Sequence, residues 1–127
     1  MAKEKITIQY ILKSIPESLL WSFISDDAGL STWYADNVTH FGKRHEFTWD
    51  GYTEAADLLD YKDLEFIRFR REGSEPDEYW ELRISVDEVT DNTVLTITDF
   101  SEPVEMEDDI SLWNAQIEQL KDRLGCR

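Results

Sequence analysis

The sequence predicts an α+β fold: a curved antiparallel sheet, two short helices near the N-terminus, and one long C-terminal helix lying across the sheet. Three observations carry this. Ile110, Trp113, Ile117, Leu120 and Leu124 recur at spacings of three, four, three and four within residues 104–124, one apolar stripe on an otherwise polar helix. No other segment keeps helical periodicity for more than about three turns, and the middle of the chain alternates as strands do. A lone amphipathic helix must bury its stripe somewhere, and the sheet is the surface available.

The elements follow in order. Ile6, Ile8, Tyr10 and Leu12 alternate with mostly polar neighbours, which predicts a half-buried first strand. Ser14-Ile15-Pro16-Glu17 has the pattern of a capping box with proline in the first turn, opening a short helix that carries Leu19, Leu20, Trp21, Phe23 and Ile24. Ser25-Asp26-Asp27 starts a second short helix bearing Leu30 and Trp33, with acidic residues at its positive end. Strands are predicted at residues 38–41 and 44–49 around Gly42-Lys43, and at 53–61 after the hairpin signal Asp50-Gly51. Others are predicted at 64–71 and 79–89, the latter expected to be the longest, and at 93–100 after Asp91-Asn92. Glu105, Glu107, Asp108 and Asp109 crowd the start of the final helix, Lys121 and Arg123 lie near its end, and Gly125 is its expected stop. Complementing the helix dipole accounts for that acidic cluster without a metal. With neither internal repeat nor linker, residues 1–127 are expected to form a single domain.

Alternation assigns the faces. Phe47 and Trp49 share a face with His45; Ile67 and Phe69 oppose Arg68 and Arg70; Trp80, Leu82, Ile84 and Val86 oppose Tyr79, Glu81, Arg83 and Ser85; Leu95 and Ile97 share a face with Asp99. Arg68, Arg70 and Arg71 are read together as a charged outer face. An inward face this aromatic either makes a bulky core or lines a cavity, since Trp and Tyr bury large areas while keeping a polar edge.

Composition narrows the partners. The formal net charge of −15, from 28 acidic and 13 basic side chains, repels phosphate backbones and anionic headgroups, so neither nucleic acid nor a membrane surface is expected as partner. A lone cysteine, Cys126, allows no intrachain disulfide, and an exposed terminal thiol suits a reducing compartment. No apolar signal segment opens the chain and no run reaches the ~20 apolar residues of a membrane span, so a cytoplasmic location is expected.

The chain resembles the START-like, helix-grip superfamily (SRPBCC proteins). Within it, the nearest likeness is to small bacterial START-like proteins related to the C-terminal domain of chaperone-ATPase activators. The residues carrying the likeness are Leu30-Ser31-Thr32-Trp33-Tyr34-Ala35-Asp36, Phe47-Thr48-Trp49-Asp50-Gly51, Ile67-Arg68-Phe69, Leu95-Thr96-Ile97-Thr98-Asp99-Phe100, and Leu112-Trp113 with Gly125. They occur in family order over about residues 4–125. The resemblance implies a helix-grip fold and a choice of roles: hydrophobic-ligand carriage, chaperone binding, or cyclase or hydrolase activity. Fold alone does not choose among them.

The leading expectation is a small hydrophobic or amphipathic ligand held between the sheet and the last helix. Its expected contacts are Trp33, His45, Phe47, Trp49, Phe69, Trp80, Leu82, Ile97, Asp99, Trp113 and Ile117. A protein-interaction module using the acidic surface is the second reading, and an enzyme the third. His45 and Asp99 are the inward polar groups from which a general-base pair could be built, although they belong to strands far apart in the expected order. His40 and His45 are five residues apart with no third nitrogen or sulfur ligand in a recognised spacing, so the pattern does not point to zinc. There is no phosphate loop or nucleophile elbow, and no cofactor or catalytic residue is assigned.

Overall fold

In the computed structural model, which describes residues 3–125, seven antiparallel strands form one open, curved sheet in the order β1-β7-β6-β5-β4-β3-β2. The elements are β1 (Glu4–Leu12), α1 (Glu17–Ser25), α2 (Asp27–Trp33), β2 (Asn37–Phe41), β3 (Arg44–Trp49), β4 (Tyr52–Lys62), β5 (Phe66–Arg71), β6 (Trp80–Val86), β7 (Thr93–Ser101) and α3 (Met106–Leu124). Every strand from β2 to β7 pairs with its sequence neighbour, as hairpins require, and β1 closes on β7 with Ile8 opposite Ile97. The terminal thiol Cys126 lies outside the described residues. No described helix is long and apolar enough to cross a membrane.

The predicted stripe of α3 does what its spacing requires. Trp113, Ile117 and Leu120 are buried, while Ile110 and Leu124 flank them half-exposed. Lys121 and Arg123 sit in the last turn, and Gly125 ends the helix at φ 75°, a left-handed position that costs a side-chain-bearing residue more than it costs glycine. Below α3, α1 and α2 contribute Leu20, Ile24, Leu30 and Trp33, and the sheet contributes Phe47, Phe69, Trp80, Leu82, Leu95 and Ile97.

Two local expectations differ from what is seen. The capping box at the head of α1 does not form: Pro16 takes the cap position with no side-chain bond, and Ser14 turns the chain at φ 62°. At α2 the cap does form, with the Asp26 carboxylate accepting from the Gly29 amide at 2.7 Å. The longest strand is β4, with 11 residues, while β6 has only 7 because Tyr79 and the residues after Val86 leave the ladder. A register shift between Leu58 and Asp60 marks an irregularity of the kind that bends a strand and lets a sheet curve.

The arginines also divide differently from the sequence reading. Arg68 lies on the outer face, where it and Arg83 grip Glu81. Arg70 donates to the carbonyls of Glu78 and Pro76. Arg71 belongs to the inner face, because it stands two residues past Phe69 and four past Ile67. Period-two alternation already contained that assignment; treating the three arginines as one charged block obscured it.

Glu81 is buried on the outer face between its two arginines. Burial alone would raise its pKa, but hydrogen bonds and charge from Arg83 and Arg68 outweigh it and hold the carboxyl below the ordinary glutamate value. The folded state therefore binds fewer protons here than the unfolded one. The stabilisation is present above the unfolded value of about 4.3 and is lost as pH falls through the lower folded value. Urea denaturation of wild type and Glu81→Gln should show a gap at neutral pH that closes as pH falls below that range; a gap independent of pH would refute the assignment.

The α1–α2 crossing supplies a second expectation. A Cβ at Gly29 would lie 2.2 Å from the Ser22 carbonyl oxygen and 2.7 Å from Phe23 Cα, both backbone atoms with little freedom to move. Gly29→Ala should cost about 1–3 kcal/mol through overpacking, despite the better helix propensity of alanine. A neutral or stabilising effect would show that the two helices are not so closely apposed.

Candidate functional site: a cleft under the first half of the last helix

The interior beneath α3 is filled rather than hollow. Tyr34 is its hub, stacked on Trp80 and Trp113 at centroid distances of 5.1 and 5.7 Å and meeting Trp33, Phe47 and Trp49 edge-on. Phe69 stacks on Trp80 at 4.6 Å and meets Phe47 edge-on. These are the offset and T-shaped arrangements that the ring quadrupole favours. The backbone carbonyl of Tyr34 accepts from Trp49 Nε1 at 2.9 Å and Gln116 Nε2 at 3.0 Å, tying β3 and α3 to the end of α2. Among the described residues, Trp80 Nε1 is the one buried side-chain polar atom left without a hydrogen bond.

Open space begins where the aromatic packing stops. A cleft of about 460 Å³ lies between the first half of α3, the inner ends of β3, β4 and β5, and the end of β7. Trp49, Tyr52, Leu112 and Trp113 form apolar walls, and Arg71, Asp99 and Glu54 form a charged floor. Asp99, on β7, is buried and receives four donors. Arg71 reaches it with both terminal nitrogens at 3.0 and 3.3 Å, Trp113 Nε1 at 2.9 Å, and the Phe100 amide at 2.8 Å. Arg71 also donates to Glu54 at 3.2 Å, and its guanidinium lies 5.7 Å from the centroid of Trp80.

Charge at the floor is held by its neighbours. Burial opposes the Arg71 cation, but Tyr34, Asp99 and Glu54 outweigh that and hold its pKa above the ordinary arginine value. Burial pushes the Tyr34 phenol well up; Arg71 opposes the shift, and Glu54 and Asp99 add to it. At neutral pH the Arg71 guanidinium is charged and the Tyr34 phenol is neutral. The floor offers oriented polar contacts.

The predicted contact residues separate into three groups. Trp49, Asp99 and Trp113 line the cleft. His45 lies at the other end of the inner face, on a second hollow of about 330 Å³ that shares no residue with the first. Trp33, Phe47, Phe69, Trp80, Leu82, Ile97 and Ile117 are packed into the core between them. His45 and Asp99 thus face different openings, as their separate strands implied. Sequence reasoning missed Tyr34, Glu54, Arg71, Leu112 and Gln116. Alternation along β5 could have found Arg71, and the i, i+3 relation of Trp113 and Gln116 could have found the latter.

A model of the START-like superfamily domain matches residues 1–126, and the chain belongs to that superfamily. Among solved structures it is similar to BfR322 from Bacteroides fragilis, determined in solution by NMR, at 37% identity over 97% of this chain and 92% of that one, with a TM-score of 0.68. The solution structure of the Aha1 dimer from Colwellia psychrerythraea shares the fold at 15% identity and TM-score 0.78, covering 95% of this chain and 96% of that one. DynU16, a protein of the dynemicin biosynthetic locus, shares it at 15% identity and TM-score 0.80, with 95% of this chain matched to 47% of that one. No curated protein matches the chain.

The Arg71–Asp99 pair makes its own prediction. Asp99→Asn keeps the shape but removes the charge that Arg71 and the indole of Trp113 are arranged around, so it should cost about 1.5–3 kcal/mol. In a double-mutant cycle with Arg71→Met, measured by chemical denaturation, the two effects should be clearly non-additive. Additive losses would mean that the pair is not coupled.

Proposed function

We propose that the protein binds a small amphipathic ligand in the cleft under the first half of α3, with its apolar body between Trp49, Tyr52, Leu112 and Trp113 and its polar end over the Arg71–Asp99–Glu54 floor. The observation that carries this reading is the pairing of aromatic walls with the Arg71–Asp99 ion pair in a space of ligand size, about 460 Å³. The START-like fold, which commonly holds hydrophobic ligands, supports it. Because the interior beneath the helix is packed, the ligand sits at the mouth and reaches only part of the way inward. Lining carboxylates outnumber lining cations four to two, with Glu54, Asp99, Glu105 and Asp109 against Lys3 and Arg71. The favoured polar end is therefore cationic or neutral rather than anionic.

Medium-chain amphiphiles that differ only in a trimethylammonium, sugar or carboxylate head test this directly. The first two should quench tryptophan fluorescence and raise the melting temperature, and the carboxylate should do so least. Leu112 is 60% exposed, so Leu112→Glu should leave the melting temperature of the free protein within a few degrees while weakening binding by about tenfold or more. Binding unaffected by Leu112→Glu, or no binding by any of the three, would sink the proposal.

A further inference from the structure

At the end of the inner face opposite the cleft, three side chains from different elements converge on one point. Asp27 stands in the first turn of α2, and His40 and His45 face each other across the β2–β3 pair. One ligand atom from each lies within 4.8 Å of the other two. The Asp27 carboxylate accepts from His40 Nδ1 at 2.6 Å, and its other oxygen is 3.9 Å from His45 Nε2. The imidazoles stack at 4.9 Å. We propose that these three residues form a binding site for a first-row divalent cation of the zinc type.

The arrangement of His45 carries the proposal furthest. This ring is buried, and its Nδ1 faces the backbone carbonyl of Lys43 at 3.2 Å. A carbonyl can only accept, so Nδ1 holds the hydrogen and the lone pair of the neutral ring stands on Nε2, the atom turned toward Asp27. Orientation of one ring nitrogen by a backbone acceptor is how ligating histidines are generally held. On the other side, the hydrogen between His40 Nδ1 and Asp27 occupies the position a cation would take. A tetrahedral ion with bonds of about 2.0–2.2 Å sets its ligand atoms about 3.4 Å apart. The 2.6 Å contact of His40 with one Asp27 oxygen must therefore open by less than an ångström, while the carboxylate and the exposed His40 ring turn so that one oxygen and two ring nitrogens, already within 4.8 Å of one another, close to that spacing.

Two imidazoles and one carboxylate suit zinc, copper, nickel or iron; magnesium and calcium, which prefer all-oxygen sets, are excluded by the same chemistry. The hollow of about 330 Å³ around the three residues also holds Asp26 and Asp63, which add negative potential, and it leaves room for solvent on the remaining coordination positions. None of its lining residues belongs to the cleft of the proposed function, so the two readings stand or fall separately.

Zinc chloride titrated into chelator-treated protein carrying Cys126→Ser, which removes the terminal thiol as a source, tests the site. One equivalent should bind and raise the melting temperature, and the ring resonances of both His40 and His45 should shift in nitrogen-edited NMR spectra. Excess magnesium should not compete. His40 is on the surface, so His40→Ala should fold normally and weaken zinc binding by about tenfold or more; Asp27→Asn should act in the same direction. Failure of either histidine ring to respond, or undiminished binding in the His40→Ala/Asp27→Asn double variant, would overturn the proposal. The second result would assign the zinc to scattered surface carboxylates.

Discussion

An ionised carboxylate taken out of water has to be supplied with donors, or burial costs several kcal/mol. At Asp99 those donors come from three parts of the chain: Arg71 on β5, Trp113 on α3, and the adjacent Phe100 amide. Satisfying this one side chain therefore fixes where α3 crosses the sheet and which rotamer Trp113 adopts. It also draws the end of β5 toward β7, although β6 separates the two strands in the sheet. The amphipathic stripe on α3 requires a sheet but would pack on it in several registers; the indole–carboxylate bond selects one.

Fixing α3 at Trp113 determines where space is left. Beyond that residue the buried side chains of the helix, Ile117 and Leu120, join the core cluster that includes Tyr34. Before that residue, Glu105, Asp109 and Leu112 overhang the charged floor without meeting it, and the cleft opens there. Tyr34 supports both halves. Its ring fills the core, while its carbonyl binds the indole of Trp49 on the far wall and the amide of Gln116 on the helix.

Much of this was legible in the chain, and the rest was hidden for identifiable reasons. The α3 stripe, the hairpin order and the inward faces of β3, β5, β6 and β7 follow from periods of 3.6 and 2, which are properties of backbone geometry. Whether the aromatic face encloses a void depends on how its rings interdigitate, and no periodicity encodes that. Arg71 was hidden by its basic neighbours although alternation placed it correctly. Asp27 was hidden by distance along the chain: the turn of helix that carries it reads as an ordinary acidic N-terminus, and only the fold brings it to His40 and His45. The cap at α1 was anticipated and did not form, because Ser14 is used to turn the chain and is too far from the helix to cap it.

The two openings share a pattern that a sequence can reveal. Inward positions are apolar in the middle of the sheet and turn polar at its ends: His40 and His45 on one side, Glu54, Arg71 and Asp99 on the other. A strand that keeps its alternation while its inward residue becomes ionisable has left the core and reached an opening. Each opening is also rich in carboxylates, with Asp26, Asp27 and Asp63 around the histidines and four acidic side chains around the cleft. A net charge of −15 spread evenly would serve solubility alone. Placed around two concave openings with apolar walls, carboxylates focus a negative potential into them, since low-dielectric walls confine the field, and the local concentration of cations rises accordingly. The acidity of the chain thereby bears on what the openings attract as well as on what its surface repels.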